Sequence, residues 1–324
     1  MVVTPEQLSN WIKSGKKIIA VDLRSSQLQK TDPLFGLQAI MTNTNVIPKT
    51  RDNLILICQY GIVTEGLILE KKLTNTYSLL GGSEAWNHFY ESNLDFSQYS
   101  RQVVLPEIGI EGQNKIKNSS IAIIGMGGLG CPAAQSLVAS GVGHLKIIDN
   151  DKIEITNLHR QPLYDQNDLG SLKVLVSKKK LEKLNENIVI ETFNCFFDKS
   201  NAIDILKNTD IVIDATDNYR SRAIIDNASK KLGIPMIYGG LYRFEGHISV
   251  FNYNEGPSFK EIFPDSNEKE NDCDTAGILG MLPSIIGNIQ ALEAIKIIVG
   301  IDNNLSGKLL IYNILTHQIT KIEL

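Results

Sequence analysis

Cysteine is scarce in this 324-residue chain. Cys58, Cys131, Cys195 and Cys273 lie far apart, and no two stand at zinc-ligand spacing. That excludes a disulfide-stapled fold and predicts free thiols in a reducing cytoplasm. An excess of charge is missing too. The formal net charge is −4, so neither a nucleic acid nor a membrane surface is an expected partner. No apolar stretch reads as the roughly 18 residues of a spanning helix. The opening MVVTPEQLSNW has no basic head before an apolar run, so no signal peptide is expected. Internal repeats and low-complexity tracts are absent as well. What is present is an ordinary globular composition, 43% hydrophobic and 21% charged, long enough for one large or two moderate domains with a real core.

Two segments differ in kind. In residues 1–96, Thr4-Pro5 reads as an N-cap and first helical residue. KKIIAVDLR, NLILIC and YSLL then read as short strands, and Gly81-Gly82 precedes a helix carrying Trp86. The stretch 27–48 shows no firm period and reads as loop and short helix. In residues 97–324 the apolar run SSIAIIG, bounded by glycine, reads as a buried parallel strand. HLKIID, VIETFNCFF and TDIVIDAT follow as strands with helices between them. Strands alternating with helices predict an α/β fold, a Rossmann-like, mostly parallel sheet covered on both faces. Residues 255–275 read as an exposed loop, 283–299 as an apolar buried helix, and the tail as two strands around a turn. Cys131 and Cys195 read as small apolar packing residues, Cys195 within a strand.

Gly125-Met126-Gly127-Gly128-Leu129-Gly130 follows a strand and opens a helix. Such a loop lets the backbone approach a phosphate at a helix N-terminus. Asp149 ends the next strand, where a carboxylate can accept from ribose hydroxyls. Alone, this says only nucleotide, with NAD the commonest occupant. Asp149-Asn150-Asp151 leads into Thr156-Asn157-Leu158-His159-Arg160-Gln161, Lys173 follows on a helix, and Asp217-Asn218 lies at another strand's C-terminal end. Arg160 and Lys173 can neutralise phosphate charge, and Asp217 can hold Mg²⁺ through oxygen. A dehydrogenase does not need this set, whereas a nucleoside triphosphate does.

On these residues, together with YSRQVVLPEIGIEGQ at 99–113, RFEGHISVF at 243–251 and AGILGMLPSIIGNIQALEAIK at 276–296, the chain resembles the MoeB/ThiF adenylyltransferases, relatives of the ubiquitin-activating enzymes. The resemblance implies an ATP site that takes in Gly125, Gly127, Gly128, Gly130, Asp149, Asp151 and Thr156, with Gly128 at the phosphate-side turn and Asp149 on the ribose. It implies Asn157 and Arg160 near the phosphates with Lys173 beside them, and Asp217 on Mg²⁺ with Asn218 next to it. It implies adenylation of the C-terminal glycine of a small β-grasp sulfur-carrier protein ending in Gly-Gly, of the molybdopterin, thiamine or thiolation type. Arg101 resembles the family arginine that reaches into the neighbouring subunit's site, which implies a homodimer. Cys273 stands where the family often carries a cysteine that forms a thioester or acyl disulfide with the carrier. Two cysteine pairs that bind zinc in many members are missing here, so no zinc site is expected.

Residues 1–96 resemble a small rhodanese domain through Asp22-Leu23-Arg24, Cys58-Gln59-Tyr60-Gly61, Leu80-Gly81-Gly82 and Trp86. The resemblance implies a persulfide on Cys58. Gln59 and Val63 stand where that loop usually has arginines, and Glu65 follows, so a disfavoured thiolate is expected, and a degenerate docking or packing module is read ahead of active sulfur transfer. Three rival readings remain at this level: an NAD-dependent oxidoreductase, a non-catalytic scaffold that binds a carrier, and activation of a carboxylate on a modified tRNA base.

Overall fold

A computed structural model describes residues 1–92, 96–264 and 277–324. The chain forms two compact units, Met1–Gln98 and Tyr99–Leu324.

The first unit is built on a five-stranded, all-parallel sheet. Its strands are β1 (Val2–Val3), β2 (Ile18–Asp22), β3 (Ala39–Met41), β4 (Asn53–Ile57) and β5 (Thr76–Leu79), in the order β1-β5-β4-β2-β3. Period-two alternation decides the faces. Ile55 and Ile57 of β4 pack with Leu8, Leu79 and Trp86, while Leu54 and Leu56 pack on the other face with Leu67 and Ile68. Helices α1 (Pro5–Lys13), α2 (Ser26–Thr31), α3 (Ile62–Glu70) and α4 (Gly82–Ser92) complete the unit. Thr4 caps α1 in a full capping box, with Pro5 in its first turn. The stretch 27–48 contains strand β3 as well as loop. It is an edge strand with half-exposed side chains, and that exposure removes the apolar alternation by which a strand is read.

The second unit carries an eight-stranded sheet in the order β13-β12-β11-β10-β9-β6-β7-β8. Five strands run parallel: β6 (Ser120–Ile124), β7 (His144–Ile148), β8 (Val189–Phe193), β9 (Ile211–Asp214) and β10 (Met236–Tyr242). From β10 the sheet continues antiparallel through β11 (Glu245–Phe251), β12 (Lys308–Asn313) and β13 (Gln318–Glu323). The helices are α5 (Gly109–Asn118), α6 (Gly130–Ala139), α7 (Lys173–Leu184), α8 (Ala202–Leu206), α9 (Tyr219–Leu232), α10 (Phe259–Ile262) and α11 (Met281–Val299). Ile121 and Ile123 of β6 face one core, Ala122 and Ile124 the other. The central strands are therefore apolar throughout, as burial on both sheet faces demands.

Three expectations need correction. Residues 258–263 are not exposed loop. Ser258 caps α10, and Phe259 and Phe263 pack into an aromatic cluster with Tyr238 and Phe251. Cys195 lies two residues past the end of β8 rather than within it. Finally, α11 is long and apolar enough to cross a membrane by length and composition, with 19 residues and a mean hydropathy of 1.4. Single polar residues such as Gln290 and Glu293 interrupt its apolar runs and hide that length in the sequence. Both are buried: Gln290 donates to the carbonyls of Asp214 and Ile237, and Glu293 accepts from the Leu305 N–H.

Candidate functional site

The parallel strands β9, β6, β7 and β8 all end on one edge, and the loops leaving them wall a cleft of about 950 Å³. The turn from β6 into α6 is tight. Gly125 has φ of +99°, and a Cβ there would lie 2.7 Å from the Ala215 oxygen. A Cβ at Gly130 would come within 1.9 Å of the Gly125 oxygen. Only glycine fits either position without displacing backbone.

The peptide groups of Met126 are held on both sides. Its N–H donates to Asp149 Oδ2 at 2.7 Å, and its carbonyl accepts from the Tyr164 hydroxyl at 3.0 Å and the Cys131 thiol at 3.4 Å. The other Asp149 oxygen accepts from the Asp151 N–H at 2.7 Å. Burial pushes the Asp149 carboxyl above the usual carboxylate range, with Lys173 and the two N–H groups opposing it. Burial likewise drives the Cys131 thiol up to about 12 and raises Tyr164. Cys131 is thus a packed, inert thiol, as its sequence context suggested.

Against the glycine loop stands the cationic side, where a Cβ on Gly128 would lie 3.5 Å from the Arg160 carbonyl oxygen. Asn157 closes a short 3₁₀ turn, with its Oδ1 accepting from the Glu154 N–H at 3.0 Å. Arg160 donates from Nη1 to the Thr156 carbonyl at 2.9 Å. Lys173 is buried at the start of α7, with Nζ 2.8 Å from Asp151. Gln161 is buried beside Gly127. At the end of β9, Asp217 and Asn218 are exposed, and the Asn218 amide donates to Asp217 Oδ1 at 3.2 Å while its Oδ1 caps α9 at Ser221 N–H. Oxygen donors at one end and two cations nearby can bind and polarise a phosphate chain.

Gly125, Gly127, Gly128, Asp149, Asp151, Thr156, Asn157, Arg160, Lys173, Asp217 and Asn218 all line this one cleft. Gly130 sits behind it, buried. Arg101 is exposed and is not among the residues that line it. Cys273 lies outside the described residues. Sequence reading missed five residues, four that line the cleft and Tyr164, which holds the Met126 carbonyl. Tyr164 carries no local signal at all. Arg222 stands four residues after Asn218, a helical spacing that brings it back to the same turn. Arg243 lines the cleft from the tip of the β10–β11 hairpin. Cys195 and Phe196 line it beyond Asp149, Phe196 with 74% of its surface exposed. Burial and Asp198 raise the Cys195 thiol.

Cys58 occupies a second candidate site, in the first unit. It follows β4, is 7% exposed, and has Sγ 3.5 Å from the Thr64 hydroxyl. Gly61, at φ +83°, starts α3 there. Burial pushes the thiol up, but the Thr64 hydroxyl and the backbone N–H groups of Thr64, Tyr60 and Val63 outweigh it and hold it below its ordinary value. The expectation of a disfavoured thiolate is therefore reversed. Oriented N–H groups at contact distance outweigh an exposed carboxylate at Glu65, whose field water screens.

Comparison with known proteins bears on the second unit. Residues 99–324 match the model of the ThiF family. A probable molybdopterin-synthase adenylyltransferase of Porphyra purpurea is 44% identical over 233 residues, 71% of this chain and 61% of that protein. A sulfur carrier protein adenylyltransferase of Thermus thermophilus is 37% identical over 235 residues, 70% of this chain and 87% of that protein. Among solved structures, PaaA superposes with a TM-score of 0.61 at 30% identity, over 71% of this chain and 73% of its own. The chain thus spans about three-fifths of the Porphyra protein and most of the Thermus one. A glycine loop, its carboxylate partner and a cationic wall converge in one cleft within the matched residues, and the chain belongs to the ThiF family.

Proposed function

We propose that the cleft binds ATP and adenylates the C-terminal glycine carboxylate of a small β-grasp sulfur-carrier protein ending in Gly-Gly. The observation that carries this is the convergence of Arg160, Lys173 and Asp217-Asn218 on a cleft that also holds the glycine loop and Asp149. A dinucleotide of two phosphates leaves that cationic and acidic end without a task. The names of the Porphyra and Thermus relatives support the same chemistry.

In this reading a carrier carboxylate oxygen attacks the α-phosphorus, the bond to the bridging oxygen breaks, and pyrophosphate leaves with its electron pair. The protein supplies no nucleophile. Arg160 and Lys173 offset charge on the phosphates, Asp149 orients the sugar, and the glycine loop lets the backbone approach the phosphate chain. The carboxylate of Asp217 and the oxygens near it are hard donors that fit Mg²⁺. When bound, that ion offsets triphosphate charge. Arg101, exposed and away from its own chain's cleft, would serve the cleft of a second copy in a homodimer. In the first unit, the N–H cradle around Cys58 supports a persulfide-carrying, rhodanese-like role, in line with a sulfur-carrier partner.

The test is ATP–pyrophosphate exchange dependent on such a carrier. Exchange is expected, and micromolar NAD binding without exchange for any carrier would overturn the reading. Mixing Arg101→Ala with Asp217→Ala chains should restore about a quarter of wild-type exchange, since half the dimers would each hold one intact site. No recovery in well-mixed dimers would remove Arg101 from a trans role.

A further inference from the structure

Asp214 closes β9 and is fully buried. A buried carboxylate is costly unless every oxygen is answered. Its Oδ1 accepts from the Thr216 N–H at 3.0 Å and from the Thr216 hydroxyl at 2.6 Å. Its Oδ2 faces Arg222 Nε at 3.4 Å. Arg222 reaches back from α9. Its Nη2 donates to the Thr216 carbonyl at 3.0 Å and to the Gly239 carbonyl of β10 at 3.3 Å. The guanidinium lies 5.1 Å from the centre of the Tyr238 ring. From the opposite side, Gln290 donates to the Asp214 carbonyl at 2.7 Å.

The consequence falls on the turn that follows. Thr216 has its N–H held by Asp214 and its carbonyl held by Arg222. Asn218, on the other side of Asp217, has its side chain fixed on the Ser221 N–H at 2.9 Å. Asp217 is thus an exposed carboxylate whose two neighbours are both anchored. The fork of arginine suits this task, because one planar group must meet the Asp214 carboxylate at the end of β9, the Thr216 carbonyl in the turn after it and the Gly239 carbonyl on β10. Lysine offers one point of charge and cannot meet all of them at once.

We infer that Arg222, paired with the buried Asp214, is a positioning residue that holds the turn carrying Asp217 at the acidic end of the cleft. Its effect on a nucleotide rests on the ATP reading above. Its effect on the turn does not.

The full chain is tested as Arg222→Lys and as the double variant Asp214→Asn/Arg222→Gln. The double variant removes both charges, so it leaves no unpaired buried charge that could unfold the protein. Two measurements are made. The first is amide hydrogen exchange of the nucleotide-free protein at residues 215–218, with β6 as internal reference. The second is calorimetric binding of adenosine 5′-(α,β-methylene)triphosphate with and without Mg²⁺. Exchange at 215–218 should quicken by at least about tenfold in each folded variant, the equivalent of one lost hydrogen bond to a charged group, with β6 unchanged. The Mg²⁺-dependent gain in analogue affinity should shrink by about tenfold. Unchanged exchange at 215–218 would overturn the inference. So would a loss of metal-free affinity with exchange unchanged, because Arg222 would then touch the phosphates directly. If the wild-type protein binds no analogue at all, the ATP reading fails while the exchange result still decides the role of Arg222.

Discussion

Two strand-to-helix turns in this chain use the same local geometry for different anions. In the first unit β4 runs through Cys58 and Gly61 into α3. In the second, β6 runs through Gly125 and Gly128 into α6. Both are parallel strands whose following turn holds a glycine at positive φ and feeds a helix, where backbone N–H groups favour negative charge. The first turn closes its N–H groups on a sulfur of its own. The second ties Met126 down through Asp149, Tyr164 and Cys131 and leaves Gly127 and Gly128 on the wall of a large cleft. The contrast teaches that the helix end alone does not choose the anion. What chooses it is whether the loop carries a resident group or keeps a space.

The sharpest way to break the contrast is to remove the acidic end of the cleft. Asp217→Ala should lower carrier-dependent exchange by at least about 100-fold while the fold and the Cys58 thiol are untouched. Exchange within tenfold of wild type would show that the second turn works without its acidic neighbour.

Next in size is the turn itself. Gly130→Ala should destabilise the second unit by about 3 kcal/mol in denaturant unfolding, since its Cβ would meet the Gly125 oxygen. Gly127→Ala, whose Cβ meets only the Gln161 side chain at 3.7 Å, should cost less than about 1 kcal/mol. Equal costs would mean that the loop is looser than its contacts imply.

The two thiols offer a third test. Cys131 holds its proton up to about pH 12 in the folded chain. Between the ordinary thiol value and that point, the unfolded chain releases a proton that the folded chain keeps, so raising pH favours unfolding. Wild type should therefore lose up to about 1.4 kcal/mol more than Cys131→Ala on going from about pH 9 to about pH 10. Cys58 has the opposite sign. Its folded value is depressed, so its contribution is present at alkaline pH and lost as pH falls through that value. Parallel urea midpoints for wild type and Cys131→Ala across that range would contradict the burial argument.

The smallest expected effect concerns Glu65. Glu65→Gln should leave the Cys58 titration, followed by thiolate absorbance against a Cys58→Ser reference, within about 0.3 of a pH unit. A larger move would return weight to the exposed carboxylate over the N–H cradle.

What the sequence disclosed follows the same division. The glycine loop, Asp149, Arg160, Lys173 and Asp217 were legible because strand ends, helix starts and charge types leave local marks. The parallel strands were legible because burial on two faces makes unbroken apolar runs. Strand β10 was not, since Gly239 and Gly240 interrupt it, and β3 was not, since an edge strand shows no alternation. Cys195 and Arg243 reach the cleft, and Tyr164 reaches the Met126 carbonyl, through tertiary contacts that no spacing announces. Arg222 left a faint mark, one helical turn after Asn218. Cys58 was misjudged for a different reason. Charges can be counted in a sequence, but the direction of an N–H group cannot.

Asp149 has one oxygen on Met126 and the other on Asp151, both at 2.7 Å. A carboxylate pinned at both ends cannot swivel. Its remaining lone pairs point along fixed lines before any ligand arrives. If the cleft binds ATP as proposed, a ribose whose two hydroxyls lie on the same side would meet those lines without any side chain having to settle, whereas an epimer would bring one hydroxyl in at the wrong angle. The configuration of the sugar would then be read by a rigid gauge, with little ordering entropy lost in the reading.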